Sequence, residues 1–340
     1  MKIRLLLVLS LMFLIGCGKN DEPAITGPDN AGIYCADFDT LWKKYDRYYV
    51  FFDHKKVEWN SAYYKYSGQI AKVNNYNDFI SSVRNMLTEL KDVHVWLKSK
   101  NGEFVQPFFP AYTVNWNKVL WQSYMSKYSW RQPSASWGWF IKDSIGYIAV
   151  LTWNKDGILL QQFDSTLDSL RNCKGIIFDI RMNGGGYGPL AGSIGGRFVP
   201  EKFQCGFYQI RSGDKHDDLT PMAPIEYPKR GDWQFTKPVI LLMGRGCYST
   251  SEIFAAGMTK LPNCISIGDT TGGGLSNSRQ FTLKDGTIYS ISDQLIYDTD
   301  KNIVESQGIP PQVIVEWNLN EVNAGKDPVL DYALNLLRSK

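Results

Sequence analysis

The sequence predicts a mixed α/β fold, in which a helical N-terminal part is followed by strands that alternate with helices. Apolar residues recur at helical spacing between Phe38 and Tyr49, and more strongly between Phe79 and Leu90. From residue 145 onward, short apolar runs typical of buried strands alternate with amphipathic segments. The length of 340 residues allows two domains, or one large core with an appendage.

The second half of the chain gives the clearest elements. Continuous apolar runs predict buried strands over Ile145–Leu151, Gly175–Ile180 and Val239–Met243. Helical spacing predicts helices over Leu159–Leu170 and Ile253–Met258. An N-cap acid followed by proline is typical of a helix start, so Asp327-Pro328 predicts a last helix that runs through Leu337.

The first half is less regular. Helical spacing predicts a helix over Trp59–Ile70, alternation predicts a strand over 93–98, and the aromatic stretch 101–142 predicts short strands. Lys284-Asp285-Gly286 predicts a hairpin turn later in the chain. The resulting segments are a leader (1–16), a tether (17–34), a helical domain (35–100), a small β-rich segment (101–142) and an αβ core (143–340).

Composition excludes some classes of protein. The 37 basic and 34 acidic residues give a net charge of +3, without the concentrated basic face that nucleic acid requires. The 14% aromatic content is compatible with a sugar-binding protein, although core packing explains most aromatic residues. The cysteines form no CxxC pair, which argues against a zinc or redox motif.

The first seventeen residues are typical of an export signal. Lys2 and Arg4 precede an apolar stretch over Leu5–Ile15, which is too short to span a membrane as a helix. Leu14-Ile15-Gly16-Cys17 resembles the bacterial lipobox, in which the cysteine is lipidated and becomes the mature N-terminus. We therefore expect a signal peptide over 1–16 and a lipid anchor on Cys17 in the bacterial cell envelope; an ordinary signal peptide is the alternative.

Three segments could carry chemistry, and the first is the glycine run at the end of a buried strand, Asp179–Gly186. Glycines let backbone N–H groups face a ligand at close range, as an anion or oxyanion site requires. Gly186, Gly188 and Ala191 also fit a loose dinucleotide-binding fingerprint. That interpretation is disfavoured because no acidic residue ends a second strand about 20 residues later.

The second segment is Gly246–Glu252, between the strand Val239–Met243 and a predicted helix. A serine on a strand-to-helix turn is exposed, and the following N–H groups point at its reaction centre. The structural alternative is that Ser249, Thr250 or Ser251 caps the helix, with Glu252 completing a capping box.

The third segment is Leu90-Lys91-Asp92-Val93-His94, where a helix gives way to a strand. The chain has three histidines, His54, His94 and His216, so a Ser–His mechanism must use one of them. A lone histidine is more often structural than catalytic.

Together these segments resemble the tail-specific, or C-terminal processing, serine peptidase family. Five motifs occur in the family's order, over roughly residues 38–337: Leu90–His94, Asp179–Gly186, Ser249–Phe254, Gly268–Gly272 and Glu305–Pro311. Many members use a Ser–Lys dyad, but Gly273 and Gly274 occupy the place of the lysine here. The sequence is therefore more similar to the branch that includes the tricorn core protease, with Ser, His and Glu. The interval between His94 and residue 144 is also too short for the family's PDZ module.

The resemblance implies a crotonase-like (ClpP-like) αβ superhelix and a peptidase acting on peptides or unfolded proteins. It implies Ser249 as nucleophile, His94 as general base and Glu305 as the residue that orients His94. The oxyanion donors would be the N–H of Thr250 and one N–H in Gly184–Gly185. This mechanism needs no metal or organic cofactor. A non-catalytic binding lipoprotein that keeps the fold is the alternative function.

Overall fold

The computed structural model describes residues 29–339, which form two compact units. The described part of the first unit extends to Phe109 and includes two later segments, Gly213–Asp217 and Arg279–Ile291. The second unit comprises Pro110–Ser212, Asp218–Ser278 and Ser292 onward.

Helices and strands are numbered in chain order. The helices are α1 (Asp29–Tyr48), α2 (Phe52–Lys55), α3 (Trp59–Ile70), α4 (Tyr76–Thr88), α5 (Lys118–Lys127), α6 (Leu160–Leu170), α7 (Gly188–Gly195), α8 (Thr250–Met258), α9 (Leu319–Asn323) and α10 (Pro328–Arg338). The strands are β1 (Leu97–Lys98), β2 (Phe104–Val105), β3 (Arg131–Ser134), β4 (Trp137–Lys142), β5 (Ile145–Val150), β6 (Gly175–Asp179), β7 (Phe203–Ile210), β8 (Ala223–Tyr227), β9 (Val239–Met243), β10 (Cys264–Gly268), β11 (Ser278–Thr282), β12 (Ile288–Ser292), β13 (Gln294–Tyr297) and β14 (Val313–Ile314).

The second unit is built on a seven-stranded sheet with the order β14-β10-β9-β6-β5-β4-β3. The strands β5, β6, β9, β10 and β14 are parallel, while β3 and β4 extend the sheet as an antiparallel edge. Because parallel strands end at one edge of a sheet, the segments after β6 and β9 lie side by side. Those segments carry the glycine run and Ser249.

Both faces of this sheet are covered by helices. On one face, α6, α7 and α8 pack against alternate strand residues such as Ile148, Phe178 and Leu241. On the other face, α5 and α10 cover Tyr147 and Ile177 among others. Burial on both faces explains why the central strands read as continuous apolar runs rather than alternating ones. A separate three-stranded antiparallel sheet, β13-β7-β8, completes the unit.

The first unit combines α1 to α4 with the four-stranded sheet β11-β12-β1-β2. Strand β1 pairs antiparallel with β12, so that Leu97 lies opposite Tyr289. The Tyr45 hydroxyl donates to the Ser290 carbonyl over 2.8 Å, which ties α1 to the sheet. The turn between β11 and β12 has the predicted Lys284-Asp285-Gly286 at its centre, with Gly286 N–H bonded to the Leu283 carbonyl.

The mixed α/β class is confirmed, and the strand Val239–Met243 and the helix Trp59–Ile70 have the predicted bounds. The segment boundaries differ from those predicted. Helix α1 begins at Asp29, so residues 29–34 of the expected tether are helical. The stretch 101–142 is not a separate β-rich segment, because it contains α5 and because β3 and β4 belong to the large sheet.

The strand predicted over 93–98 is reduced to Leu97–Lys98. The expected signal peptide over 1–16, the lipidation site Cys17 and residues 17–28 of the tether lie outside the described residues. Among the helices of residues 29–339, none combines the length and apolar character that a membrane span requires.

Candidate active site

Ser249 lies on the turn that joins β9 to α8, with a backbone φ of 57° and ψ of −125°. A non-glycine residue rarely adopts this conformation, which costs on the order of 1–3 kcal/mol and is concentrated at functional sites. The Ser249 N–H donates to the Gly274 carbonyl over 2.9 Å, which holds the strained turn in place. The side chain makes no capping hydrogen bond. Ser249 therefore has the conformation of a nucleophile on a strand-to-helix turn.

The alternative in which a side chain caps α8 does not agree with the contacts. The Thr250 hydroxyl donates to the Gly186 carbonyl over 2.7 Å, away from the first turn of the helix. Ser251 is fully buried, and its hydroxyl accepts a hydrogen bond from the Trp153 indole over 2.9 Å. Glu252 bonds mainly to a later loop, and the Ser249 backbone N–H makes a weaker interaction with its carboxylate. Because the Ser249 side chain makes no capping hydrogen bond, the reciprocal pair of a complete capping box is missing here.

The glycine run lies directly beside Ser249. A Cβ on Gly185 would be 2.7 Å from the Ser249 Cβ, a separation that real Cβ atoms essentially never show. Gly185 also has a φ of 105°, which other residues rarely adopt. Its carbonyl accepts from the Trp153 N–H over 3.1 Å. This position therefore needs glycine so that the loop can approach the serine.

The two predicted oxyanion glycines differ in their N–H groups. Gly185 N–H donates to the Asn183 side-chain oxygen over 3.0 Å, which leaves Gly184 as the candidate donor of the two glycines. Gly184 is exposed, and neither its N–H nor that of Thr250 is engaged by another group within residues 29–339. Thr250 directly follows Ser249, and Gly184 directly precedes Gly185, so these two N–H groups are the candidate oxyanion donors.

Asn183 holds the run in shape, and sequence reasoning missed it. Its Nδ2 donates to the Val150 carbonyl over 3.0 Å, while its Oδ1 receives Gly185 N–H. Asn183 is fully buried, and both the nitrogen and the oxygen of its amide are hydrogen-bonded to backbone groups at the edge of the sheet. An asparagine preceding three glycines is the only signal for this role in the sequence.

Asp179 and Arg181 begin the same motif but lie in the core. Arg181 is fully buried and bonds to both Asp179 (2.8 Å) and Asp327 (2.9 Å). Burial by itself lowers the pKa of Arg181, yet the two carboxylates raise that pKa well above its ordinary value. The network joins the end of β6 to the start of α10 and stabilises the edge on which the glycine run lies.

The loop 270–275 faces Ser249 from the next strand connection. Gly273 has a φ of 72°, and a Cβ there would be 2.9 Å from the Gly308 nitrogen and 3.0 Å from the Gln307 nitrogen. Backbone atoms cannot yield as a flexible side chain can. Gly273, one of the two glycines at the place of the family's catalytic lysine, is therefore left-handed and sterically closed to a side chain.

Glu305 is attached to the same loop. It is 1% exposed, and its Oε2 accepts from Leu275 N–H over 2.9 Å. The next residue, Ser306, donates its N–H to the Gly273 carbonyl over 2.7 Å. Since Ser249 bonds to Gly274, the Ser249 segment and the Glu305 segment are fixed to adjacent residues of one loop.

His94 belongs to the first unit and lies in a turn. Its N–H donates to Asp92 Oδ1 over 2.8 Å, and its carbonyl accepts from the Ser290 hydroxyl over 2.8 Å. Such Asx turns compete with strand formation, which explains why β1 starts only at Leu97. Burial lowers the pKa of His94; the Asp92 carboxylate opposes that effect and Lys55 adds to it. Within this unit the buried Nδ1 atom has no hydrogen-bond partner.

A serine on a strained turn after a parallel strand, beside open backbone N–H groups, defines the class of serine hydrolases with an αβ core. The description Peptidase family S41 matches residues 144–315, just over half of the chain, and Tricorn protease C1 domain matches residues 34–88. The chain belongs to peptidase family S41, a family of serine-type peptidases with a crotonase-like core.

Individual relatives agree with this assignment. The tricorn protease of Thermoplasma acidophilum is 27% identical over 198 residues, 58% of this chain and 17% of that protein. A carboxy-terminal processing protease of Bacillus subtilis (strain 168) is 25% identical over 176 residues, 51% of this chain and 35% of that protein. The chain thus matches only a minor part of these two relatives.

A solved structure covers more of the chain. The crystal structure of a candidate peptidase from Parabacteroides merdae ATCC 43184 is 28% identical, with a TM-score of 0.80. The alignment covers 88% of this chain and 95% of that chain. The fold therefore extends over both the helical unit and the αβ unit in a protein of similar size.

Proposed function

We propose that the protein is an envelope-anchored serine peptidase that cleaves peptides or unfolded proteins, with Ser249 as the nucleophile. The observation that carries the proposal is the strained turn at Ser249, whose side chain caps no helix and lies next to the glycine run at Gly185. Strain of this kind has to be compensated by the surrounding structure, and here the Gly274 carbonyl supplies part of that compensation. A purely structural serine gains nothing from such a conformation.

The oxyanion of the tetrahedral intermediate would be bound by Thr250 N–H and Gly184 N–H. Thr250 is the first residue of α8, where N–H groups point out of the helix and the dipole favours negative charge. Gly184 lies on the exposed part of the glycine run. Losing one such donor typically costs about 10²–10³ in rate. Gly185 contributes by allowing the close approach, not by donating.

His94 would take the proton of the Ser249 hydroxyl and pass it to the leaving amine, and water would then hydrolyse the acyl-enzyme by the reverse sequence. Its lowered pKa favours the neutral imidazole, which is the form a general base requires. Glu305 would accept from the other ring nitrogen and stabilise the imidazolium. Lysine is a poor alternative base, because Gly273 cannot carry one and Lys260 is paired with Asp300 at the surface.

A serine-directed fluorophosphonate probe tests the nucleophile. We expect covalent labelling of the wild type, no labelling of Ser249→Ala and retained labelling of Ser251→Ala. The change at Ser249 should leave thermal stability nearly unaltered, because its side chain makes no capping bond. Failure of the folded wild type to react would instead favour a binding protein that keeps the peptidase fold.

The base is tested by measuring kcat/KM against pH on one peptide substrate. His94→Ala should lower kcat by about 10⁴–10⁶, while Glu305→Gln should do less damage because the base is kept. His54→Ala is the matched control, since it removes a histidine that has no part in the proposed triad. Activity of the wild type should fall as pH decreases, with an apparent pKa below about 6.5, because burial lowers the pKa of His94. Full activity in His94→Ala would refute the triad.

The anchor is tested separately. Cys17→Ser should abolish incorporation of labelled palmitate and release or stall the precursor, because the lipobox cysteine is the acceptor of the lipid. Peptidase activity of the folded protein should not change. Continued lipid labelling of this variant would exclude Cys17 as the attachment site.

A further inference from the structure

Glu252 is a buried carboxylate that the proposed mechanism does not use. It lies three residues after Ser249, in a helix whose other buried positions are mostly apolar, and it is 0% exposed. Its Oε1 accepts from the Thr271 hydroxyl over 2.6 Å and from Gly273 N–H over 2.8 Å, and its Oε2 accepts from Gly274 N–H over 3.0 Å. All three donors belong to the loop 271–275.

This loop is hydrogen-bonded to the two candidate site residues of the second unit, Ser249 and Glu305. The Gly274 carbonyl accepts the Ser249 N–H, while the Leu275 N–H is donated to Glu305. The Thr271 hydroxyl also accepts from Ile309 N–H over 2.7 Å, in the segment that follows Glu305. A displacement of the loop would therefore move the Ser249 turn and the Glu305 carboxylate together.

A carboxylate is a costly group to keep at this position. Burial raises the pKa of Glu252 to about 7, and the hydrogen bonds from Thr271, Gly273 and Gly274, with a smaller contribution from the Ser249 backbone, only partly oppose that rise. Within residues 29–339, the titratable groups that interact with it are Cys247 and Tyr248, and neither is a cation. A buried acid held only by neutral donors contributes little net stability, so its value must lie in the geometry that it imposes.

We propose that Glu252 is a positioning residue, whose carboxylate holds the loop 271–275 in the conformation that fixes Ser249 relative to Glu305. The proposal rests on the proposed peptidase function. Glu252 touches no substrate and acts through the loop. Small displacements of a catalytic group can cost about 10² in rate, so the expected effect is on kcat rather than on substrate binding.

Glu252→Gln is the direct test, because it keeps the size of the side chain. However the amide is oriented, its NH₂ group faces at least one N–H or O–H donor, so at least one of the three bonds is lost. We expect kcat to fall about tenfold or more, with KM changed less than about threefold and fluorophosphonate labelling slowed in parallel. Hydrogen exchange at the Gly273 and Gly274 amides should become faster. Glu226→Gln, a surface acid paired with Lys202, is the matched control.

A wild-type kcat in Glu252→Gln, with unchanged exchange at Gly273 and Gly274, would overturn the proposal. If Glu252→Gln does not fold, the proposal is tested by comparing kcat of Thr271→Val with kcat of Thr271→Ser. Serine keeps the hydroxyl and should stay closer to the wild type in kcat than valine; equal kcat values would again overturn the proposal. If the wild type itself neither labels nor turns over, the proposed function fails, and the amide exchange still reports whether Glu252 holds the loop.

Discussion

Two buried acidic sites lie beside each other at one edge of the large sheet, and they are stabilised in different ways. After β6, Asp179 shares the guanidinium of Arg181 with Asp327, so opposite charges meet in the core. After β9, Glu252 is bound by neutral donors, namely the Thr271 hydroxyl and backbone N–H groups. The first site joins secondary-structure elements, whereas the second joins two loops that carry candidate catalytic residues.

This difference predicts that the two sites have different roles, one in the stability of the unit and the other in the positioning of its loops. Removing one member of a buried ion pair leaves an uncompensated charge, which is among the largest single costs in a core. A carboxylate held by neutral donors can instead be neutralised by a proton, so its cost depends on pH. The ionic site should therefore govern whether the unit folds, and the neutral-donor site should govern how well its loops are arranged.

The largest effect is expected for Arg181→Leu. This change leaves Asp179 and Asp327 buried without a cation and should lower the free energy of unfolding by about 3–5 kcal/mol. Arg338→Leu is the control, because it breaks an exposed ion pair with Asp143 and should cost less than about 1 kcal/mol. Denaturant titrations of the two variants give the comparison. Equal losses would show that the buried network contributes no more than a surface pair.

A smaller, pH-dependent effect is expected at Glu252. Its pKa is raised from 4.5 to about 7 on folding, so the folded state binds the proton more tightly than the unfolded state. The contribution of Glu252 protonation to the free energy of unfolding is complete below pH 4.5 and is lost as pH rises toward 7. The total change in this contribution is about 3 kcal/mol. The difference in unfolding free energy between the wild type and Glu252→Gln should decrease over that window. A difference independent of pH would mean that Glu252 titrates normally.

The smallest effect is expected for Ser251→Ala. The change leaves the Trp153 indole N–H without its partner in the core and should cost about 1–2 kcal/mol. Peptidase turnover should persist, since Ser251 is fully buried and its hydroxyl is bonded to the Trp153 indole. Ser165→Ala, at an exposed position of α6, should be close to neutral. Loss of turnover without loss of stability would place the nucleophile motif two residues later.

The sequence is sufficient to predict the bounds of secondary-structure elements whose burial is uniform. Val239–Met243 is buried throughout, so its apolar run ends where the strand ends. The sequence does not predict the bounds of a strand where a side chain bonds to the backbone and forms a turn, as Asp92 does with His94 N–H. Helix α5 was not predicted, although Asn117 caps it by accepting from Leu120 N–H over 3.0 Å. The aromatic residues of 101–142 favour strands in the sequence analysis, and this preference outweighs the helix start that Asn117 indicates.

For the candidate site, motifs indicated the residues but not their contacts. The partners of Glu252 lie about twenty residues further along the chain, and local patterns such as the capping box cannot reveal a bond to a distant loop. The availability of Gly184 N–H rather than Gly185 N–H depends on the Asn183 side chain. A lone acid in an apolar helix was the one signal for Glu252, because a buried charge requires partners.

The order of the segments along the chain has a consequence for synthesis and export. The turn that holds His94 is secured by the Ser290 hydroxyl, and β1 pairs with β12, so this unit requires residues that are made almost two hundred positions later. An emerging chain therefore carries Ser249 before the histidine turn can be completed. Contacts of such long sequence separation form slowly, because loop closure must precede them. The turn around His94 is therefore completed late in synthesis, and a chain truncated before Arg279 would lack the partners of that turn.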